Sequence, residues 1–322
     1  MTRIEVCRQL SRKLGTNAFG TFTKAITFVL LALCSLHTFA KELAITFDDS
    51  PRFANGYLNG EQRSQMLIKR LAEHGVDQVV FFSIANALDQ EGRERLHRYA
   101  DAGHIIANHT YSHLDINQAS LDEFSKDLLR GHNLLKDFKN FRKLFRFPYL
   151  REGNSVKKRD GVRALLAERD YFNAYVTLKN ADWYIESLFQ DAMKDGTTID
   201  MQKMSRFYVQ SLMESINHFD QMGVRHLGRS PKHVLLLHET DTAALFVGDL
   251  VDELRRNGWN IISVEQAYTD DIANYRSEKL FNSNPGRIGE IATGNGQVTQ
   301  IRHPSLDTGY LKKNFLKKVV NR

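Results

Sequence analysis

Cysteine is almost absent from this chain of 322 residues, and both copies lie near one end. They are Cys7 and Cys34, within the first 40 residues. Beyond residue 40 no thiol is present to form a disulfide, attack a substrate or bind a metal as a thiolate. Disulfide scaffolds, cysteine hydrolases and cysteine-ligated zinc sites are therefore excluded for the remaining 282 residues.

Net charge is also scarce once the N-terminus is set aside. The formal charge is +6, but residues 1–40 hold five basic residues and one acidic residue. Residues 41–322 therefore contain 39 basic and 37 acidic residues, a net charge of +2. Because residues 41–322 are nearly neutral, their charge gives no reason to expect nucleic-acid binding. One local excess is the basic C-terminal end, which we interpret as a solvated helix face, with binding of a partner as the alternative. Its basic residues are Lys312, Lys313, Lys317, Lys318 and Arg322.

The apolar stretch near the N-terminus is short for a membrane span. Sixteen mostly apolar residues separate Lys24 from Lys41, after a basic region. A spanning helix needs about 20 apolar residues. The pattern favours a signal peptide cleaved after Ala40, which predicts export to the periplasm, the cell envelope or the medium. An uncleaved membrane anchor is the main alternative, and would be the protein's contact with a membrane. The sequence before Cys34 also resembles a lipoprotein cleavage box, although Leu33 is larger than that box normally accepts.

Beyond residue 40, apolar segments alternate with amphipathic ones. Seven short apolar segments are predicted as strands: 43–47, 78–84, 104–109, 144–148, 171–176, 234–237 and 260–264. Amphipathic helical patterns lie between them, and several end in glycine just before the next strand. This alternation indicates right-handed βαβ crossovers and a parallel sheet. We therefore expect an α/β fold, a distorted (β/α) barrel of about seven parallel strands.

Two regions interrupt the alternation. Residues 201–222 have apolar side chains at helical spacing and are followed by Gly223, which predicts an amphipathic helix within a long connection. Residues 270–322 contain Asn-Pro-Gly and Gly-Asn-Gly turns and predict an irregular C-terminal extension. The expected organisation is a signal peptide at 1–40, a barrel domain at 41–269 with a helical insertion at about 184–231, and an extension at 270–322.

Two adjacent carboxylates, Asp48 and Asp49, end the first predicted strand. Residues 43–47 are apolar, as in a strand buried on both faces, and Pro51 stops the ladder. Neighbouring like charges are tolerated where a cation or a reaction uses them. A solvated turn before the next helix is the simpler interpretation, since Asp-Ser-Pro is common in turns. The choice between the two depends on what the other strands carry.

Polar residues follow several other predicted strands, and the carboxyl ends of parallel strands meet at one edge of a sheet. His109 and His113 follow the third strand, and on one helical turn their spacing would place both imidazoles on one face, as in sites for a divalent ion. The other polar residues at this edge are Arg146, Tyr149, Asp182 and His238. Their common position indicates a functional site rather than a turn.

These residues resemble the motifs of the polysaccharide deacetylases, the family with a NodB-homology domain. Residues 46–51 resemble its first motif, Thr-Phe-Asp-Asp-Gly-Pro, with Ser50 in place of glycine. Residues 109–113 match its second motif, His-(Ser/Thr)-x-x-His. The third motif, the end of the fourth and the fifth follow in the family's order, at residues 146–149, 182–183 and 235–238. The resemblance spans about residues 43–268.

The resemblance implies a metal-dependent hydrolase that removes acetyl groups from sugars by cleaving a carbon–nitrogen bond. Its expected substrate is an acetylated polysaccharide or oligosaccharide, with N-acetylglucosamine polymers first. Carried over by position, Asp49, His109 and His113 bind a divalent metal, which is zinc in most members. The resemblance also implies catalytic roles. Asp48 would be the general base, and Arg146 would hold it. The backbone N–H of Tyr149 would stabilise the oxyanion, and His238 would be the general acid, oriented by Asp182.

Elementary chemistry supports this division of roles. One carboxylate and two neutral imidazoles leave positions on an ion open for water and substrate. The pKa of zinc-bound water falls to about 7, so a carboxylate can complete its deprotonation. Charge that builds on the acetyl oxygen is stabilised by the ion and a fixed N–H. A histidine can supply the proton that a departing nitrogen requires.

Three features depart from the family pattern. Lys179 stands where the fourth motif has an earlier carboxylate, Ser50 replaces a glycine, and a long connection separates Asp182 from His238. Two other functions stay open on the sequence alone. One is a carbohydrate-binding protein that has the same fold without turnover, and the other is a hydrolase of a small non-sugar amide or ester.

Overall fold

The structure is a computed structural model that describes residues 41–54 and 56–320. The predicted signal peptide or membrane anchor at residues 1–40 lies outside the described residues. Among the helices that are described, none combines the length and the apolar character that crossing a membrane requires.

The described residues contain one sheet in which every pairing is parallel. Its strands are β1 (Lys41–Ser50), β2 (Val80–Ser83), β3 (Ile105–Asn108), β4 (Phe141–Phe145), β5 (Phe172–Asn173), β6 (His233–His238) and β7 (Trp259–Ile261). The order across the sheet is β5-β4-β3-β2-β1-β6, and β7 pairs with the first residues of β1. After β5 the chain bridges to β6 through Leu178 and Leu235, so the sheet curls towards closure. The prediction of a distorted barrel of about seven parallel strands is confirmed.

Ten α-helices surround this sheet in the described part of the chain. They are α1 (Gly60–Glu73), α2 (Gln90–Asp101), α3 (Leu121–Leu135), α4 (Val156–Glu168), α5 (Asp182–Lys194), α6 (Met201–Leu227), α7 (Asp241–Arg256), α8 (Val264–Ala267), α9 (Gly286–Gly294) and α10 (Thr308–Lys318). Short 3₁₀ helices occur at Ala85–Ala87, Pro148–Leu150, Asp271–Asn274 and Pro304–Leu306.

Strand β1 is buried on both faces, as its unbroken apolar sequence predicts. Leu43, Ile45 and Phe47 belong to the large cluster formed with the surrounding helices. Ala44 belongs instead to a smaller cluster that includes Val80 and other strand residues. Alternating side chains of one strand therefore pack in two different cores, which fixes the register of β1 and the positions of the residues that follow it.

Helix α6 does not end at Gly223, so that part of the prediction was wrong. The helix continues to Leu227 and is capped by Gly228 in the left-handed conformation, with φ 71°. Gly223 is buried inside the helix, where a Cβ atom would lie 3.1 Å from the ring of Pro231. Glycine at this position permits close packing, which a sequence pattern does not distinguish from a helix end.

The C-terminal extension is more regular than predicted, because residues 270–320 include α9 and α10. Helix α9 buries Ile288 and Ile291, and α10 buries Leu311 and Phe315, in the same large core as β1. Helix α9 is short and has turn residues at both ends, so its apolar periodicity is difficult to recognise in the sequence. The lysines of α10 are exposed, as expected for a solvated helix face.

A buried ion pair joins α1 to α7 near the carboxyl ends of the strands. The Nε of Arg63 lies 2.7 Å from Oδ1 of Asp241, and both side chains are fully buried. The other carboxylate oxygen of Asp241 accepts hydrogen bonds from the Leu58 N–H and from the Gln190 amide, at 2.9 and 2.6 Å. This carboxylate therefore fastens the chain after β1 to α1, α5 and α7.

We expect Asp241→Asn to lower the free energy of unfolding by about 3 kcal/mol or more, since it removes a buried negative charge that faces a guanidinium. Urea denaturation followed by circular dichroism measures the change. Asp122→Asn is the control, because Asp122 forms an exposed pair with Lys126 and such pairs contribute at most about 1 kcal/mol. Equal effects of the two substitutions would contradict this account of Asp241.

Candidate active site

Strand β1 delivers Asp48 and Asp49 to the carboxyl edge of the sheet. Asp48 is buried and lies in register with His238 of β6. Asp49 is partly exposed and has a left-handed backbone, with φ 65°. Positive φ recurs nearby at Thr110, His113 and Tyr149, at 69°, 59° and 57°. Such conformations are uncommon in residues other than glycine and tend to gather at functional sites.

Three predicted metal ligands, Asp49, His109 and His113, come together at this edge. Oδ1 of Asp49 lies 3.6 Å from Nε2 of His109 and 3.5 Å from Nε2 of His113. The three ligand atoms all lie within 4.8 Å of one another. The two histidines are not on a helical turn, so the predicted reason for their proximity was wrong. An irregular loop with positive φ at Thr110 and His113 brings the imidazoles together instead.

These three side chains fit a divalent metal ion. Oδ1 of Asp49 is buried and has no hydrogen-bond partner among the described residues. Its distances to the two imidazole nitrogens exceed the length of a hydrogen bond. A buried oxygen without a partner costs free energy, which a shared cation would offset. One carboxylate oxygen and two imidazole nitrogens around a common point are a suitable ligand set for such an ion.

Both histidines are held in a form that can bind a metal. The Nδ1–H of His109 donates to the carbonyl oxygen of Arg146 at 2.7 Å, which leaves Nε2 with its lone pair towards Asp49. Burial lowers the pKa of His113 to about 4, so this imidazole is neutral at pH 7. Burial alone would raise the pKa of Asp49, but the neighbouring histidines hold it well below its usual value.

Arg52 and a buried network behind it were not predicted. The guanidinium of Arg52 lies 3.3 Å from Oδ2 of Asp49, so only Oδ1 of this carboxylate lacks a hydrogen-bond partner among the described residues. The backbone N–H of Arg52 donates to Glu239 at 2.7 Å. Glu239 also accepts from the Tyr99 hydroxyl at 2.8 Å and from Arg95 at 3.1 Å. The position of Glu239 next to His238 was a signal in the sequence, but Tyr99 and Arg95 lie in a helix with no motif.

Asp48 is held by Arg146. One guanidinium nitrogen lies 3.0 and 3.2 Å from the two oxygens of Asp48. Other guanidinium nitrogens donate to the Ala174 carbonyl and to the Thr46 hydroxyl, and the group packs over the ring of Phe82 at 4.2 Å. The Arg146 side chain is 1% exposed. These contacts fix the carboxylate of Asp48 in one orientation beside the candidate metal ligands.

His238 and Asp182 form a second pair at the same edge. The Nδ1 of His238 lies 2.8 Å from Oδ1 of Asp182, and Oδ2 of that carboxylate accepts from the His238 backbone N–H at 2.7 Å. Asp182 is fully buried at the start of α5. Burial lowers the pKa of His238, but the charges of Asp182, Asp49 and Asp48 outweigh it and raise the pKa to about 9. The imidazole is therefore protonated at neutral pH, and its Nδ1–H donates to Asp182.

Tyr149 lies beside the candidate metal ligands, with its ring centroid 4.6 Å from that of His113. Lys179 does not replace the missing carboxylate in the site, because its ammonium group donates to the carbonyl oxygen of Asn284 in the C-terminal segment. Ser50, in place of the family's glycine, is fully buried. The structure thus brings together every predicted site residue, and the departures from the motifs lie around them.

Residues 37–165 match the family model described as polysaccharide deacetylase. This part of the chain is similar to that family. The match includes the residues from Asp48 to Tyr149, whereas Asp182 and His238 lie beyond it. The resemblance inferred from the motifs is confirmed.

Two curated proteins are similar to the chain. A peptidoglycan-N-acetylglucosamine deacetylase of Bacillus cereus is 28% identical over 109 residues, which are 34% of this chain and 36% of that protein. The chain thus spans about a third of the length of this relative. An uncharacterised 30.6 kDa protein of Geobacillus stearothermophilus is 25% identical over 192 residues, 57% of this chain and 67% of that protein.

Solved structures share the fold. A mutant of a CE4-family pseudoenzyme from Bacillus anthracis, with restored enzymatic activity, has a TM-score of 0.50 and 18% identity, over 72% of this chain and 68% of that chain. A peptidoglycan deacetylase of Bacillus subtilis has a TM-score of 0.47 and 19% identity, over 71% of this chain and 91% of that chain.

We expect the purified protein to bind one divalent ion at the Asp49 cluster. Asp49→Asn, His109→Ala and His113→Ala should each weaken the affinity for zinc by more than about 10–100-fold, the loss that follows from disturbing outer-shell partners alone. Competition with a chromophoric chelator measures the affinity. His97→Ala is the control, because His97 is exposed and is not part of the Asp49–His109–His113 cluster. Unchanged zinc affinity in the His113 variant would exclude this site.

Proposed function

We propose that the chain is an exported, metal-dependent deacetylase that hydrolyses N-acetyl groups of a polysaccharide and releases acetate. The observation that carries the proposal is the convergence of three units at one edge of the sheet. These are the Asp49–His109–His113 cluster, the Asp48–Arg146 pair and the His238–Asp182 pair. The similarity to a peptidoglycan-N-acetylglucosamine deacetylase makes peptidoglycan the first substrate to test.

Asp49, His109 and His113 would hold the metal, and the donor set of one carboxylate and two neutral imidazoles favours zinc. When bound, such an ion polarises a carbonyl group and lowers the pKa of water. Arg52 supports this role of Asp49, because it occupies Oδ2 and leaves Oδ1 directed towards the histidines.

Asp48 is the proposed general base, which takes a proton from the attacking water. Its carboxylate is buried, and both oxygens are oriented by Arg146. A base held in one orientation needs no rearrangement when the proton moves, and positioned acid–base groups contribute about 10²–10⁴-fold to rate.

His238 is the proposed general acid, which gives its Nε2 proton to the departing nitrogen. Its Nδ1 is bound to Asp182, so the tautomer and ring orientation are fixed. The raised pKa, about 9, keeps the proton available at neutral pH. Tyr149 is next to His113, and its backbone N–H is our candidate for stabilising the charge on the acetyl oxygen.

Acetate release from a panel of acetylated glycans tests the proposal. Peptidoglycan, chitooligosaccharides, O-acetylated glycans and small acetamides are compared, after chelation and after zinc is restored. Acetate from a glycan that disappears on chelation and returns with zinc is expected. Release from small acetamides alone would indicate a hydrolase of small amides. Metal and glycan binding without acetate from any substrate would indicate a carbohydrate-binding protein.

Asp48→Asn and His238→Ala should each reduce acetate release at least about 100-fold, because each removes a proton-transfer group. Both variants should retain the affinity for zinc, since neither residue is in the ligand cluster. Asp122→Asn, an exposed carboxylate, is the matched control for the loss of one negative charge. Loss of zinc from the Asp48 variant would instead reverse the assignments of base and ligand.

Asp182→Asn should lower the pKa of His238. Burial lowers this pKa, and Asp182 supplies the largest charge that raises it. In metal-free wild-type protein the imidazole should stay protonated up to a pH of about 9, whereas in the variant the proton should be lost at lower pH. Histidine NMR titration measures both values. The high-pH fall in acetate release should move in the same direction. An unchanged titration would remove Asp182 from its role as the group that sets this pKa.

A further inference from the structure

A cavity of about 290 Å³ lies between α6 and the C-terminal segment, outside the proposed active site. Its walls are Lys179, Phe219 of α6 and residues between positions 281 and 306. The volume is near the lower end of the range of about 300–1,000 Å³ for small-molecule sites. The cavity can therefore hold a small ligand.

Lys179 brings a charge to this cavity that the family motif does not have. It follows Leu178, which bridges to β6, and its ammonium group turns away from the catalytic residues to the Asn284 carbonyl. Among the described residues, no carboxylate lies within ion-pair distance of Lys179. A neutral carbonyl oxygen does not compensate the charge of a largely buried ammonium group.

A second cation, Arg302, lines the same cavity, and none of the described lining residues is acidic. Burial and the charge of Arg302 lower the pKa of Lys179 to about 8, because both make its charged form less stable than it is in water. An anion between the two side chains would relieve both the desolvation and the repulsion.

The rest of the cavity wall is largely apolar. Phe219, Phe281, Pro285, Ile301 and Leu306 contribute to it. A strongly hydrated inorganic anion would lose hydrating water against such a wall and gain no hydrogen bonds from it. An anion with an apolar body would place its charge near the two cations and bury its apolar surface against the wall. The combination of two cations with an apolar wall therefore favours an organic ligand.

We propose that this cavity binds a small organic carboxylate, with its charge between Lys179 and Arg302 and its apolar body against the side chains of α6 and the C-terminal segment. The proposal is independent of the deacetylase activity, because it uses none of the proposed catalytic or metal-binding residues.

Isothermal titration calorimetry of the full chain with valerate, acetate and inorganic phosphate tests this site. The protein is used metal-free, so that carboxylates do not bind an ion. We expect saturable binding in the order valerate, acetate, phosphate. Lys179→Met should weaken the affinity for valerate by about tenfold or more, because it removes a charge-assisted hydrogen bond while keeping the side-chain length. Arg302→Gln should weaken it less, since Arg302 is exposed.

Lys312→Gln is the matched control, because it removes one exposed positive charge on α10, and valerate affinity should not change. Valerate should also raise the melting temperature of the wild type but not that of Lys179→Met. If Lys179→Met does not fold, the valerate affinities of Arg302→Gln and Arg302→Lys are measured instead. Unchanged valerate affinity in Lys179→Met, phosphate binding tighter than valerate binding, or no saturable binding would each overturn the proposal. If Lys179→Met is less stable than the wild type but binds valerate equally well, the role of Lys179 is structural, through its hydrogen bond to the Asn284 carbonyl.

Discussion

The site depends on the parallel pairing of β1 with β6. This register sets Asp48 opposite His238, so the proposed base and the proposed acid begin from adjacent strand ends. Burial of β1 on both faces keeps that register from slipping, because a shift by one residue would exchange its two cores. The neighbouring strand β2 and the irregular loop after β3 then place His109 and His113 against Asp49. Residues 190 positions apart along the chain are thus held in one constellation by backbone hydrogen bonds.

Charge compensation explains how this edge tolerates so many buried ionisable groups. Asp48 faces Arg146, Asp182 faces His238, and Glu239 faces Arg95. Each of these buried carboxylates has a cation within hydrogen-bonding distance, which offsets the cost of desolvation. Oδ1 of Asp49 differs from them, because it is buried between two imidazoles and accepts no hydrogen bond from the described residues. That difference identifies the atom that a metal would bind.

Residue patterns predicted the parallel barrel, its seven strands and the set of residues at the strand ends. The alternation of strands and helices depends on local periodicity, which is visible in a sequence. The predictions that failed have a common cause. Each feature depends on a tertiary contact or on a backbone conformation that local residue patterns do not encode. Gly223 packs against the ring of Pro231, which lies in the loop that follows α6, and positive φ angles shape the loop from His109 to His113. The role of Arg52 depends on Glu239, far along the chain, so no spacing rule could have found it.

The C-terminal segment is part of the same core as the barrel, and this changes how the chain should be divided. Helix α9 buries Ile288 and Ile291, and an antiparallel bridge joins Ile199 to Val320. Next to the Leu178–Leu235 bridge, Lys179 contacts both α6 and this segment, through Ser215 and Asn284. Because α6 and α9 pack together in the large core, neither the insertion nor the extension could be removed without exposing apolar surface. A boundary near residue 270 therefore divides the sequence but not the packed structure.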